Sequence, residues 1–175
     1  MTDVAAGQKI LAAHMQDHET RIDTLEALGI SLTPLWKRKT SIETVNNSAV
    51  LQNDDVLFLP VLANTVYHME MRVIQNSGTT PDFKAGWTYP SGLTMLYNRL
   101  GVGLAGGGNV HLLFNSDQTT SILDDGFAAD RSFMMWGYVA VSTTPGTLQF
   151  QWAQNTANAS NTSVLPGSYL KLTKV

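Results

Sequence analysis

The most regular hydrophobic pattern lies in the C-terminal third of the chain. Residues 132–141 (SFMMWGYVAV) are apolar at both odd and even positions, so both faces of this strand are expected to be covered. Residues 147–154 (TLQFQWAQ) alternate apolar with polar, which predicts a strand with one buried and one solvated face. A last strand over 168–173 carries Leu170 and Leu172 on one side. The pattern predicts a β-sandwich with a second body packed outside one sheet, and we expect that body to be another copy of the chain.

From Leu35 onward the chain has the two-residue period of β-strands. Residues 36–45 predict the first strand, and Pro60 within 56–62 indicates an edge strand or a bulge. The clearest alternation places one set of side chains inward: Tyr67, Met69, Met71 and Val73. A second inward set follows it: Phe83, Ala85, Trp87 and Tyr89. About eight or nine short strands separated by turn signals predict a mainly β protein with an antiparallel sandwich or jelly roll.

Polar and glycine-rich stretches between these strands are predicted to be connections. Asn53–Asp55 is expected to be a turn, and 75–81 a loop. Residues 100–108 (LGVGLAGGG) predict a flexible stretch that precedes a short strand over 110–114. Residues 115–130 predict a long polar connection.

An α-helix is predicted at the N-terminus, from Ala5 to Leu28, with Gly29 as its C-cap and Pro34 excluding continuation. A seam with alternating steps of four and three residues runs along it. The seam positions are the candidate oligomerisation or docking residues: Leu11, Met15, His18, Ile22 and Leu25. Two interpretations stay open, a coiled coil between subunits and a helix packed on its own domain. The predicted domains are 1–31, a helical docking or oligomerisation segment, and 32–175, the β-sandwich.

Composition narrows the classes of function. Charged residues make up only 14% of the chain and hydrophobic residues 43%, with polar uncharged residues and glycine filling the difference, as in secreted, fibrous or virion β proteins. The net charge of −3 predicts neither a nucleic-acid partner nor an anionic membrane surface. The absence of cysteine excludes disulfides, zinc–thiolate sites and thiol nucleophiles. The opening residues are too polar for a signal peptide, which fits release from a host by lysis.

Candidate chemical motifs do not predict a cofactor, a metal or an active site. Gly101, Gly103 and Gly106 match the dinucleotide fingerprint, but a strand and not a helix is predicted to follow them. His14 and His18 lie one helical turn apart, without an adjacent glutamate or an evident third ligand. Acidic pairs in predicted turns lack the spacing of a calcium loop. No nucleophile elbow or placed carboxylate pair is present, so we predict that the protein is not an enzyme.

Aromatic side chains offer a second kind of candidate site, because exposed rings stack on sugars. Trp87 and Trp152 fall on predicted inward faces and are expected in the core. Tyr97 and Tyr169 are the candidate surface contacts, and Trp36 and Trp136 would stack on sugars if exposed.

Several stretches resemble virion proteins of tailed phages that infect actinobacteria, of the minor tail, tail-fibre or capsid-decoration type. The resemblance is carried by 146–155 (GTLQFQWAQN) with 164–172 (VLPGSYLKL), by 55–67 with 78–90, and by the opening 7–15 (GQKILAAHM). It implies a jelly-roll sandwich similar to tumour-necrosis-factor-like folds, commonly trimeric.

From the pattern and the resemblance together we expect a trimeric capsid decoration or head-fibre protein on the virion surface. Its partners would be major capsid or tail proteins, and it would be assembled in the host cytoplasm. The alternative is a tail-associated receptor- or carbohydrate-binding module that contacts a host surface glycan. A small glycan hydrolase is the third class, and it would need two carboxylates about 5–10 Å apart in a groove.

Overall fold

The computed structural model describes residues 4–27, 33–102 and 110–175. The chain divides into two compact units, Met1–Thr33 and Pro34–Val175, and each is described by itself. The chain is mainly β: its strands form two antiparallel sheets in a sandwich, accompanied by an N-terminal helix. The predicted fold class is therefore confirmed.

The helix α1 spans Val4–Ala27, within one residue of the predicted bounds at each end. Leu11 and Met15, two seam positions, expose 65% and 64% of their surface, and His18 is also exposed. Ile22 and Leu25 lie within the helix, but their side chains are outside the described ones, and the expected cap Gly29 is outside the described residues. An association of this helix with other copies stays a prediction.

The described residues of the second unit form the strands β1 Leu35–Arg38, β2 Glu43–Val45, β3 Gln52–Val61, β4 Val66–Ser77, β5 Phe83–Thr88, β6 Thr94–Val102, β7 Val110–Ser116, β8 Ile122–Asp124, β9 Arg131–Ala140, β10 Gly146–Gln154, β11 Thr162–Val164 and β12 Tyr169–Lys174. The larger sheet has the order β1-β12-β4-β9-β6-β7, with β11 beside β4 and β2 beside β11. The smaller sheet has the order β3-β10-β5-β8.

The pairing of strands is that of a jelly roll. The antiparallel pairs β1–β12, β3–β10, β4–β9 and β5–β8 are nested one inside the other along the chain. These four pairs belong alternately to the larger and the smaller sheet, as when a long two-stranded ribbon is rolled up, and the short pair β2–β11 is nested between the first two within the larger sheet. The hairpin of β6 and β7 is added to this plan and extends the larger sheet beyond β9.

The core lies between the two sheets and is filled by the predicted inward faces. The four predicted inward residues of β4, from Tyr67 to Val73, are all buried. Phe83, Ala85 and Trp87 of β5 are buried as well. Tyr89 is predicted to face inward with them, but it lies beyond the end of β5 and is 36% exposed. Aromatic rings from both β5 and β10 meet there, with the Phe83 and Trp152 ring centroids 5.9 Å apart. Pro60 lies on β3, an edge strand of the smaller sheet, as its lack of an N–H predicts.

Several predicted connections are strands in the structure. Asn53–Asp55 belongs to β3 and is not a turn, because the Asp54 carboxylate is buried with hydrogen-bonding partners of its own. The predicted first strand is divided into β1 and β2, and the loop predicted at 75–81 begins only after β4 ends at Ser77. Strands also occur where glycine or polar residues obscure the period: β6 and β8. Residues 103–109, the rest of the predicted flexible stretch, lie outside the described residues.

The predicted solvated face of β10 is only partly solvated. Gln149 is 9% exposed, because its side-chain amide donates to the backbone carbonyl oxygens of Asp54 and Phe150 at 2.9 and 2.7 Å. Ala153 is fully buried. Polar residues on this strand therefore satisfy buried backbone groups, which a simple alternation of polar and apolar positions does not reveal.

Candidate assembly surface

The candidate functional surface is the outward face of the larger sheet around β9. One parity of β9 is buried in the core, at Phe133, Met135 and Val139. The other parity points away from the core, where Met134 and Tyr138 are 43% and 56% exposed and Trp136 is half-buried between them. The strand is therefore apolar on both faces, as its sequence indicates, but among the described residues of the second unit only one face is covered.

Neighbouring strands extend this exposed face. Leu96 of β6 pairs with Tyr138 in the sheet register, and Leu100 of β6 pairs with Met134. On the other side of β9, Val66 of β4 pairs with Ala140. Because paired residues point to the same side of a sheet, these side chains form one continuous surface. We call it the outer apolar face and define it by Val66, Leu96, Leu100, Met134, Trp136 and Tyr138.

A shallow depression of about 280 Å³ opens in the outer apolar face. It is lined by His68, Leu96, Tyr97, Asn98, Trp136, Gly137 and Tyr138. The imidazole of His68 meets the Tyr138 ring edge-on, with their centroids 5.7 Å apart. Asn98 lies opposite Trp136 in the register of β6 and β9 and carries an amide beside the rings. The depression thus combines aromatic walls with a few polar groups.

Charged residues of β4 lie directly beside this surface, because Glu70 pairs with Trp136 and the exposed Arg72 pairs with Met134 in the sheet register. Lys171 of β12 donates a 2.7 Å hydrogen bond to Glu70 of β4, and both side chains are more than a third exposed. This hydrogen bond, opposed by partial burial and helped by the charge of Lys171, lowers the pKa of Glu70. The pair contributes little to stability because water and salt screen it. This ion pair places polar groups next to the outer apolar face, as polar residues surround the apolar centre of an interface.

The other sequence-based candidates have mixed outcomes. The prediction of Tyr97 at the surface is wrong: it is only 1% exposed, because β6 turns its ring into the core and its outward neighbours are Leu96 and Asn98. Trp36 of β1 is 59% exposed, and Tyr169 of β12 is half-buried. The strand register places both side chains on the outward face of the larger sheet. The tryptophans predicted in the core, at positions 87 and 152, lie there.

The two motifs considered for small-ligand binding are described to different extents. His14 and His18 are exposed on α1, and the described residues contain no group of three or more potential metal ligands. Gly101 lies in β6, whereas Gly103 and Gly106 fall outside the described residues. Within the described part of the chain, no helix has both the length and the apolar character needed to cross a bilayer.

Comparisons with known proteins give only distant likenesses. No protein-family model and no curated protein matches the chain. The tripod from the baseplate of bacteriophage Tuc2009 is similar at 12% identity and a TM-score of 0.31, with 78% of this chain and 65% of that chain covered. The Gx strain of infectious bursal disease virus is similar at 11% identity and a TM-score of 0.24, with 82% and 40% covered. The VP2 subviral particle of that virus is similar at 13% identity and a TM-score of 0.22, with 83% and 43% covered.

The chain thus spans slightly less than two thirds of the baseplate protein and less than half of the other two. All three structures come from viruses. At these TM-scores the likenesses carry no weight for the fold or function of this chain.

Proposed function

We propose that the protein is a non-enzymatic structural component of a phage virion. It would be a capsid decoration or head-fibre protein, displayed on the particle surface as a homotrimer. The observation that carries the proposal is the outer apolar face. Apolar residues scattered singly over a surface are ordinary, but a contiguous apolar sheet face marks a surface that another protein covers. The sequence resemblance to phage virion proteins supplies the class of assembly.

The occupant of the outer apolar face is proposed to be another copy of the chain. The six residues that define the face are uncharged, and the charged side chains paired with two of them, Glu70 and Arg72, are of opposite sign, so the face offers no net charge to a charged partner. Its aromatic and methionine side chains are types enriched at the centres of protein interfaces, with the Glu70–Lys171 pair at the rim. Burial would contribute roughly 25 cal/mol per Å² of apolar surface, from which the costs of association are subtracted.

The N-terminal segment is proposed to have a separate role. Residues 1–31 would form the docking or oligomerisation segment, and 32–175 the projecting sandwich. Leu11 and Met15 are exposed on α1, and with His18, Ile22 and Leu25 they would contact neighbouring helices or the particle. Major capsid or tail proteins would be the docking partners.

Light scattering on the full-length chain tests the assembly. We expect an assembly with about three times the 19.1 kDa chain mass. Tyr138→Lys should reduce that mass by placing a charge in the interface, whereas Val50→Lys, at a 77% exposed position, should not. Met15→Lys separates the contribution of the helix. A monomeric wild-type chain, or a trimer unaffected by Tyr138→Lys, would remove the support for this interface.

The particle itself tests the location. Mass spectrometry of purified particles of the phage that encodes the chain should detect it in stoichiometric amounts. Immunogold labelling would then distinguish heads from tails. Absence of the chain from particles would contradict a virion role even if the trimer formed.

A second candidate function is supported by the depression beside His68. Its rings, Trp136 and Tyr138, with the amide of Asn98, are the groups that stack on and hydrogen-bond to sugars. A tail-associated carbohydrate-binding module would use this depression on an open surface. Glycan-array binding that is lost in Trp136→Ala would favour this function, and it would require that the depression is not covered by another subunit.

A further inference from the structure

A cluster of Lys39, Glu43 and Asp54 is buried at one edge of the sandwich. Lys39 follows β1 and is 1% exposed, while the Asp54 side chain in β3 is fully buried. Glu43 begins β2, and its side chain is 14% exposed. Because β1 and β3 belong to different sheets, this cluster links the two layers.

Within the cluster, the side-chain amine of Lys39 contacts the carboxyl group of Asp54. The Lys39 Nζ atom lies 3.0 Å from Oδ1 and 2.9 Å from Oδ2 of Asp54, so it sits close to the carboxyl carbon. Nζ also donates to Oε2 of Glu43. An amine, an acceptor carboxyl and a second carboxyl thus meet in one place that is largely closed to water.

The backbone completes the arrangement. The N–H groups of Val56 and Leu57 donate to Oδ1 of Asp54 at 2.9 and 2.8 Å. Two backbone donors on one oxygen are the arrangement that stabilises the negative charge developing in acyl transfer. The other oxygen, Oδ2, accepts from Lys39 Nζ and is the one placed to leave.

We propose that Lys39 and Asp54 condense to an intramolecular isopeptide bond, with Glu43 transferring the proton. The Nζ–Cγ bond forms and the Cγ–Oδ2 bond breaks. Glu43 takes a proton from the Lys39 ammonium, the neutral amine attacks Cγ, and Oδ2 leaves as water with two protons that came from Nζ. Glu43 returns to its starting state. No oxidant, metal or co-reactant is needed.

Two physical terms favour the reaction over a permanent ion pair. Holding the reactants in contact gives effective concentrations of roughly 10⁵–10⁸ M, which replaces the activation that amide formation otherwise requires. Condensation also replaces the buried ammonium and the Asp54 carboxylate by a neutral amide, which removes the cost of keeping that ion pair away from water. Burial is the largest influence on Glu43 and raises its pKa, which suits a group that must hold a proton during the transfer.

The bond would have a mechanical consequence. It would tie the first strand after the N-terminal unit to β3 of the opposite sheet. A pull on the N-terminus that detaches β1 from β12 would then be stopped at Lys39 by a covalent bond before it reached β2. The bond itself stands independently of the proposed virion role.

Intact-mass spectrometry on the denatured full-length chain tests the proposal. The chain should be lighter than its sequence by one water molecule. After digestion with a glutamate-specific protease, the peptides on either side of Glu43 should remain joined through Lys39 and Asp54. The full sequence mass after prolonged incubation of folded protein would overturn the proposal and leave an ion cluster only.

Variants separate the chemistry from folding. Asp54→Asn should lose ammonia in place of water, a mass change that no structural role of Asp54 would produce. Glu43→Gln keeps a hydrogen-bonding side chain and should retain the full mass while remaining folded by circular dichroism. Loss of water in Glu43→Gln would overturn its assigned part in proton transfer. Glu70→Gln, in the exposed pair with Lys171, is the matched control and should leave the water loss unchanged.

Discussion

Gly137 allows β6 to lie against β9, and its replacement by alanine should separate the two strands. A Cβ at this position would lie 2.1 Å from the Leu96 carbonyl oxygen and 2.5 Å from the Tyr97 Cα. The first distance is about 1.3 Å short of the 3.4 Å at which ordinary contact begins. Both neighbours are backbone atoms of β6, so no side-chain rotation relieves the clash.

The expected loss follows from the strand register. Leu96, Tyr97 and Asn98 pair with the residues around Gly137, and a shift of more than about 1 Å exceeds what their hydrogen bonds tolerate. Each broken backbone bond costs about 1 kcal/mol, and more where the group stays buried. We therefore expect Gly137→Ala to lower the free energy of unfolding by roughly 3 kcal/mol or more.

Urea unfolding monitored by tryptophan fluorescence measures this loss, with Gly86→Ala as control. A Cβ at Gly86, within β5, would approach only the Leu51 Cδ1 atom, at 3.2 Å, and that flexible side-chain end can move. Replacing glycine by alanine also lowers the conformational entropy of the unfolded chain. This effect is the same for both replacements, so it cancels when the two variants are compared. The control should change stability by less than about 1 kcal/mol. Equal midpoints and slopes for the two variants would refute the role assigned to Gly137.

Three further expectations concern the core and two titrating groups. Trp152→Ala should lower the free energy of unfolding, measured in urea, by about 3–5 kcal/mol, because the indole is fully buried against Phe83. A decrease of less than about 1 kcal/mol would contradict its position in the core. Burial raises the pKa of Tyr97 from 10.0 to about 12. An ultraviolet titration should therefore show a tyrosine that ionises late, and this signal should be absent from Tyr97→Phe. Because the unfolded chain releases this proton at lower pH than the folded chain, the contribution of Tyr97 to stability should decline between pH 10.0 and about 12. The lowered pKa of Glu70 means that its small contribution is present above the ordinary value of 4.5 and is lost as pH falls through the folded-state value. Lys171→Ala should move that pKa back upward in an NMR titration, and an unchanged pKa would show that the pair is not formed in solution.

The sequence predicts those parts of the fold in which burial follows a simple period. The alternation over β4 and the apolar positions of β5 and β10 determine which side chains enter the core, and turn residues separate them. The doubly apolar sequence of β9 is by itself enough to indicate an outer surface that needs cover. The nested order of the strands depends on their pairing, which no single stretch encodes.

The parts that could not be predicted depend on partners distant in sequence. Asp54 resembles a turn residue until Lys39 and the following backbone N–H groups are placed around it. Tyr97 lies in a strand whose leucine and glycine neighbours hide the two-residue period. Lys39 and Glu43 belong to no motif, and only their four-residue spacing could draw attention to them. Side chains that act through tertiary contacts leave little signal in a single sequence.

The burial of Tyr138 in solution tests the central claim most directly. The natural chain has no cysteine, so Tyr138→Cys and Val50→Cys each provide one unique thiol. The rate of labelling by a bulky maleimide is measured for both across a range of protein concentrations. We predict that labelling at position 138 slows strongly as the chain assembles, while labelling at position 50 is unchanged. Equal rates at both positions in an assembled sample would contradict an interface on the outer apolar face.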